Sequence, residues 1–384
     1  MSSVASTSRS VFAPVPAFSF SAQQYEDCRN FLETRSASTE SVPIVEESQL
    51  IMGPDGRILE NGYRFNAIGF RALASVLSVG LSQLFNELSG ENVRQFKSLE
   101  RATDIAAAVS VYNTTLRVRF DALRERNLLV NHREQTIEGF LGLDHRMLDN
   151  SVFLETVRNE LADKQPSAEF FRAELLGREL RLYFIDPKSR RTDIYIDPRH
   201  SFAGGWYFSN REDTGNAIRA STCVYTRFGA AISPPGVGGR LNHTGADLIG
   251  RTSILAAKVA ERAIDMDVVA KRVRALAGLS LEFSPDRATM EAANEKWIAY
   301  LGKFKVPRED AKQIVKNAAV VGADIEPRDP IDVYTKEVLR TRTAYDLFCS
   351  ILRYSRGHYH TLRDMLQTTA LKLLIPDVKS RKHK

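Results

Sequence analysis

AEFFRAELLGRELRLYFIDPK, residues 168–188, decides the fold. On both sides of Gly177, aromatic and aliphatic side chains interleave with charged ones, and Asp186–Pro187–Lys188 closes the run. Such alternation is the mark of a strand, whose successive side chains point to opposite faces. A glycine between two such runs predicts a tight hairpin. The pattern continues downstream in TDIYI (192–196), GWYFSN (205–210) and AIRASTCVYTRF (217–228). Turn residues every 8–12 positions between aromatic, β-branched stretches predict an antiparallel meander. Upstream, LLV (128–130) and TIEGFLG (136–142) bracket the polar NHREQ as a hairpin would.

Outward from this middle the period changes. Residues 22–34 read as a short helix, and the Ser-rich 35–48, with a proline, as a linker. Pro54, Asp55 and Gly56 stand in turn order. Residues 66–88 read as two helices broken at Gly80, the first capped by Asn66, with another helix from about 92 to 110. Residues 150–162 also look helical. After 250 the helical period takes over. Residues 251–277 read as one long helix ended by Gly278, followed by segments at about 287–301, 308–318, 331–355 and 358–374. The order predicts an α+β protein: an N-terminal helical unit, a central antiparallel β-meander and a helical C-terminal third. The expected division is a flexible tail and linker (1–48), an α+β core domain (49–250), a helical region (251–378) and a basic tail (379–384).

The chain has 384 residues, 43% hydrophobic and 26% charged, ordinary values for a globular protein. Its net charge of +6 is unevenly placed. Residues 251–384 hold 25 Lys+Arg against 17 Asp+Glu, and residues 1–250 hold 28 against 30. A basic surface attracts nucleic acid, anionic membrane or acidic protein. The three cysteines, Cys28, Cys223 and Cys349, form no CxxC pair, which argues against a disulfide scaffold or a cysteine zinc site. No run approaches the roughly 18 apolar residues of a membrane span. The first 25 residues lack the apolar core of a secretory signal and read as a disordered tail. These features predict a cytoplasmic protein.

No catalytic signature stands out. GVGG (236–239) has Arg240, His243 and Arg251 nearby, as an anion would want, yet it belongs to no GxxxxGK[ST] or GxGxxG pattern. A turn joining a strand to the next helix explains its glycines as well. His358 and His360 are two apart, and so point away from each other on a helix. No metal and no cofactor is expected. The positions that best fit a polyanion are basic. Arg251, Lys258 and Arg262 share one helix face, while Arg211, Arg219 and Arg227 lie among Trp206, Tyr207, Phe208 and Tyr225. Rings beside arginines suit a single strand, whose bases stack while its phosphates meet guanidinium groups. In the plainer alternative the rings are core and the arginines face solvent.

The middle also carries a resemblance. GWYFSNREDTGNAIRASTCVYTRFGAAI followed by GRLNHTGADLIGR resembles the phage and plasmid proteins grouped as domain of unknown function 932. That family shows an F-x-N-S-E-x-G strand turn, matched here by Phe208, Ser209, Asn210, Arg211, Glu212 and Gly215. Its R-x-x-C-x-N-G element corresponds to Tyr225, Arg227, Phe228 and Gly229, with the cysteine displaced to Cys223 and no asparagine after Arg227. Its R-H-x-G stretch is matched by Arg240, His243 and Gly245, and its D-N turn by Leu148, Asp149 and Asn150. TAYDLFCSIL (343–352) resembles its D-L-x-N-A-I-T helix. The resemblance spans about 50 to 370 and implies a phage, prophage or plasmid gene without a settled activity.

The leading expectation is a nucleic-acid-binding accessory protein, binding or annealing single-stranded DNA through Arg211, Arg219, Arg227, Arg240, His243, Arg251, Lys258, Trp206 and Tyr225, and forming homo-oligomers. The rivals are an oligomeric structural or assembly protein, and an enzyme on nucleotides or nucleic acid using Asp144, Asp149, Asp186, Asp197 or His243.

Overall fold

A computed structural model of the chain describes residues 12–77, 98–194, 201–212, 218–232, 238–279, 287–320, 343–356 and 360–374. The protein is α+β, with helices set against two mostly antiparallel sheets. The larger sheet runs β1 (Ala17–Ser21), β6 (Glu169–Leu176), β7 (Glu179–Ile185), β8 (Phe202–Arg211), β9 (Ile218–Thr226) and β10 (Gly229–Ile232), with β11 (Gly239–Leu241) also pairing to β9. The smaller is ordered β2 (Thr39–Pro43), β4 (Arg126–Asn131), β5 (Thr136–Gly142) and β3 (Arg64–Phe65); β3 is parallel to β5.

The decisive hairpin forms as its pattern predicts. Gly177 supplies the left-handed turn at φ 57°, and β6 and β7 pair through Ala173↔Leu182 and Leu175↔Leu180. Two faces result. Leu180, Leu182, Phe184, Trp206, Phe208 and Ala220 point to one side. There they pack on α1 (Tyr25–Ala37), α4 (Asn150–Lys164) and α5 (Leu248–Ala260) through Cys28, Leu32, Phe153, Val157, Leu255 and Val259. Burying each such side chain contributes roughly 1.5–3 kcal/mol. The opposite face carries Tyr183, Tyr207, Cys223, Ala230 and Ile232 beside a set of charged residues.

The C-terminal layer is α6 (Met266–Gly278), α7 (Arg287–Gly302), α8 (Arg308–Val320), α9 (Ala344–Arg356) and α10 (His360–Leu374). Its core joins Val269, Val273, Ile314, Phe348, Leu352 and Leu371 to Phe202, Val224 and Ala231 of the sheet. The small sheet has its own core. Phe65, Ile137 and Phe140 meet Phe70 and Leu73 of α2 (Ala67–Val76) and Tyr112 and Leu116 of α3 (Ser98–Arg119). Asn66 caps α2, its Oδ1 accepting from Gly69 N at 2.7 Å. Position 69 must be glycine, because a Cβ there would collide with the Ile137 carbonyl across the contact with β5.

The helix read over 22–34 is α1, and the hairpin read over 128–142 forms as β4 and β5 of the small sheet. Three expectations are corrected. Residues 17–21 are not tail and 39–43 are not linker: they supply β1 and β2, and β2 pairs with β4. In the 192–196 segment Asp193 and Ile194 lie in a bend, with residues 195–196 outside the described ones. The long helix expected over 251–277 is two helices. Asp265 accepts from Asp267 N and Val268 N and so starts α6 afresh, ending the helical ladder at Ala260. The second half of the 66–88 pair, the 331–342 segment and the basic tail lie outside the described residues. Among the described residues no helix is long and apolar enough to cross a membrane.

Candidate nucleic-acid interface

The basic positions singled out in the sequence fall on different surfaces. On β9 and β11, Arg219 and Arg240 are direct cross-strand partners and share the charged face with Tyr225. Arg240 is exposed, whereas Arg219 Nη1 binds Asp364 of α10. The Tyr225 ring meets Phe171 edge-on at 4.0 Å and is part of the packing. Trp206 lies on the other face, 2% exposed, with Nε1 donating to Arg262 O at 3.0 Å. It is a core residue and offers no platform for a base. Arg227 stacks over Phe228 at 4.7 Å. Arg251 donates to Thr244 O at 2.6 Å, and Lys258 is exposed on the last turn of α5. These side chains do not converge on one surface.

The glycine-rich stretch has a different cause from phosphate cradling. Gly239 opens β11, and at Gly238 a Cβ would collide with the Ala220 carbonyl, so glycine permits the close approach to β9. Residues 233–237 lie outside the described ones. The carboxylates considered for catalysis are occupied with capping: Asp149 accepts from Ser151 N at 2.7 Å and Asp186 from Lys188 N at 3.1 Å. Asp144 is exposed; Asp197 lies outside the described residues.

The structure does gather another set of residues. The segments around Asn150, Glu212 and His243 meet where the two sheets adjoin. Glu212, just past β8, accepts from the Asn150 backbone N–H at 2.6 Å through Oε1 and from Arg178 Nη1 at 3.0 Å through Oε2. Asn210 Nδ2 donates to Leu148 O at 2.7 Å and to Asn150 Oδ1 at 2.9 Å. His243 stacks on His145, the ring centroids 5.0 Å apart and the planes 10° from parallel. His243 Nδ1 lies 3.0 Å from Arg146 O, and His145 Nε2 3.1 Å from Glu212 O.

Beneath this point runs a buried ion network. Arg178, in the β6–β7 turn, binds Glu138 of β5 as well as Glu212, and donates to Thr39 Oγ1 of β2 at 2.6 Å. Arg35 of α1 holds Glu138 at 2.5 Å and Glu134 at 2.6 Å. The network ties the small sheet to the large one. Burial pushes the Glu212 carboxyl up to about 7, the Arg178 guanidinium notwithstanding. A carboxyl raised in the folded state stabilises the protein fully only below its ordinary pKa of 4.5, and that contribution is lost as pH rises through 7. The melting temperature of the wild type should therefore fall between about pH 4.5 and pH 7 more steeply than that of Glu212→Gln. Parallel curves would contradict the assignment.

Beside the network opens a cleft of about 430 Å³. Its walls include Arg71 and Ser75 of α2, Arg126 of β4, Phe140 and Gly142 of β5, His145, and Arg211 at the end of β8. Three guanidinium groups and an imidazole line it, and among the described residues no carboxylate does. Each basic group comes from a different element. The hydrophobic packing of α2 on β5 brings Arg71 and Arg126 together, and the Arg178–Glu138 bridge brings Arg211 to them. Of these, only Arg211 was expected. Arg71, Arg126 and His145 are isolated in sequence and carry no motif; only the fold makes them a group.

No family model, no curated protein and no solved structure matches this chain.

Proposed function

We propose that this protein binds nucleic acid, with phosphates entering the cleft between the two sheets. The observation that carries the reading is the cleft lining: Arg71, Arg126, Arg211 and His145, with no acid among the described residues that line it. Such a lining focuses positive potential and favours a phosphate backbone over a neutral ligand. Guanidinium groups suit phosphate through their forked N–H donors. Exposed Arg240 and Lys258 add charge to the surface. Base stacking on Trp206 has no place in this mechanism, since that ring is buried. The interaction is therefore read as backbone contact and charge, with little sequence preference. We further propose a phage- or plasmid-borne accessory role; its support is the sequence resemblance.

A gel-shift series with single-stranded DNA, duplex DNA and RNA at low and moderate salt tests the proposal. Binding that weakens steeply with salt supports it, and single-stranded DNA is the form expected to bind best. No shift at low salt with any of the three would remove it.

A further inference from the structure

The opposite face of the large sheet is charged. One row of register partners crosses six strands there: Ser19, Glu174, Arg181, Ser209, Arg219 and Arg240. Helix α10 lies over this row. Its Asp364 reaches Arg181 Nη2 at 3.1 Å and also Arg219, while its Arg363 pairs with Glu174. Between the sheet and α10 is a cavity of about 210 Å³, whose rim is the exposed run Ala17–Ser19 of β1.

Three guanidinium groups line this cavity, Arg172, Arg181 and Arg363, together with the carboxylates of Glu174 and Glu179 that pair with them. Each has a solvent-shielded N–H without a hydrogen-bond acceptor, at Arg172 Nε, Arg181 Nη1 and Arg363 Nε. Arg181 itself is 4% exposed. Behind it, the buried hydroxyls of Tyr183 and Tyr207 also lack partners, their rings 5.3 Å apart. Arg181 Nε is satisfied by Glu179 at 2.6 Å, and Arg172 Nη2 by Glu174 at 2.8 Å. The carboxylates thus anchor the guanidinium groups without consuming their donors. Leaving a buried donor unmade costs about 1–3 kcal/mol, more when it is charged. The three unpartnered guanidinium donors around the cavity call for an acceptor-rich guest.

We infer that this cavity binds a single tetrahedral oxyanion of phosphate size, held by Arg172, Arg181 and Arg363. The cavity is smaller than the roughly 300–1,000 Å³ of sites for drug-sized ligands, which fits one anionic group and excludes a strand of nucleic acid. Its opening at β1 leaves room for an ester substituent to project outward, so the group is either free phosphate or the phosphate of a monoester. The site is separate from the inter-sheet cleft, and shares no lining residue with it.

Isothermal titration of the full chain with inorganic phosphate, at constant ionic strength made up with chloride, tests the inference, and titration with adenosine monophosphate distinguishes the two sources. One saturable site per chain is expected, with affinity about ten-fold or more weaker in Arg172→Gln and in Arg363→Gln. Both positions lie at the cavity wall and spare the fully buried Arg181, and melting curves verify that the variants fold. Arg251→Ala, outside the lining of both the cavity and the cleft, should leave phosphate affinity unchanged. Tighter binding of the monoester would identify the ligand as an ester, and equal or weaker binding would identify it as free phosphate. Absence of saturable heat, or affinity unaffected by both glutamine variants, would overturn the inference. Loss of phosphate binding in Arg126→Ala alone would overturn it as well, while leaving the inter-sheet reading intact.

Discussion

Arg178→Met should unfold in urea with a stability loss of about 3–5 kcal/mol at pH 8, the cost of removing one partner from a buried ion pair. Arg178 is 2% exposed and serves two carboxylates from two different elements. Glu138 retains Arg35, so the uncompensated charge falls on Glu212. Its carboxyl, already pushed up to about 7 by burial, then has every reason to take a proton. The penalty should accordingly shrink as the pH is lowered from 8 to 5, because a neutral Glu212 needs no counter-charge. Adding Glu212→Gln to Arg178→Met should recover a large part of the loss at pH 8 and little at pH 5. A loss below about 1 kcal/mol, or one independent of pH, would mean that the network is not what joins the sheets.

Removing the cleft guanidinium groups should have the largest effect on binding. For single strands, log K falls with log salt by about 0.7 for each phosphate neutralised. If Arg71, Arg126 and Arg211 each neutralise one phosphate, the triple alanine variant should lower the magnitude of that slope by about 2. Affinity at low salt should fall by roughly a hundred-fold or more, taking about 1 kcal/mol or slightly more per lost charged contact. Arg251→Ala, by contrast, removes a side chain that is tied to Thr244 O and lies outside the cleft lining, so it should change the slope little. Fluorescence anisotropy with a labelled oligonucleotide across a salt series reads both quantities. A triple variant with the wild-type slope would place the phosphates elsewhere.

The sequence made the local parts of this fold legible. Gly177 between alternating runs announced the β6–β7 hairpin, and Asn66 announced the start of α2, because both are decided by a few neighbouring residues. The polar TESVP of β2 was not legible. It is an edge strand with a proline and no buried stripe, and only its pairing to β4 makes it a strand. Asp265 was hidden for a different reason. Apolar residues continue at helical spacing through Ile264, so periodicity alone ran across a break that a single capping side chain imposes. The functional candidates follow the same division. Arg211, Arg219 and Arg240 stand out in the sequence because they sit beside recognisable strand and glycine patterns, but only Arg211 lines the cleft. Arg71, Arg126 and His145 come from three separate elements, and Arg35 and Arg178 act through partners about 100 and 34–40 positions away. Pairings of that separation leave no local pattern. Trp206 illustrates the converse error: alternation told that β8 has two faces, but not which face meets α5.

Nucleic-acid binding turns on phosphates entering between the two sheets. Photocrosslinking the protein to a single-stranded oligonucleotide carrying 4-thiothymidine, followed by mass spectrometry of the crosslinked peptides, tests this most directly. Crosslinks should concentrate in the peptides around Arg71, Arg126–Gly142 and His145–Arg146, and near Arg211. Crosslinks confined to α5 around Lys258 or to the C-terminal helices, with none at the cleft, would contradict it.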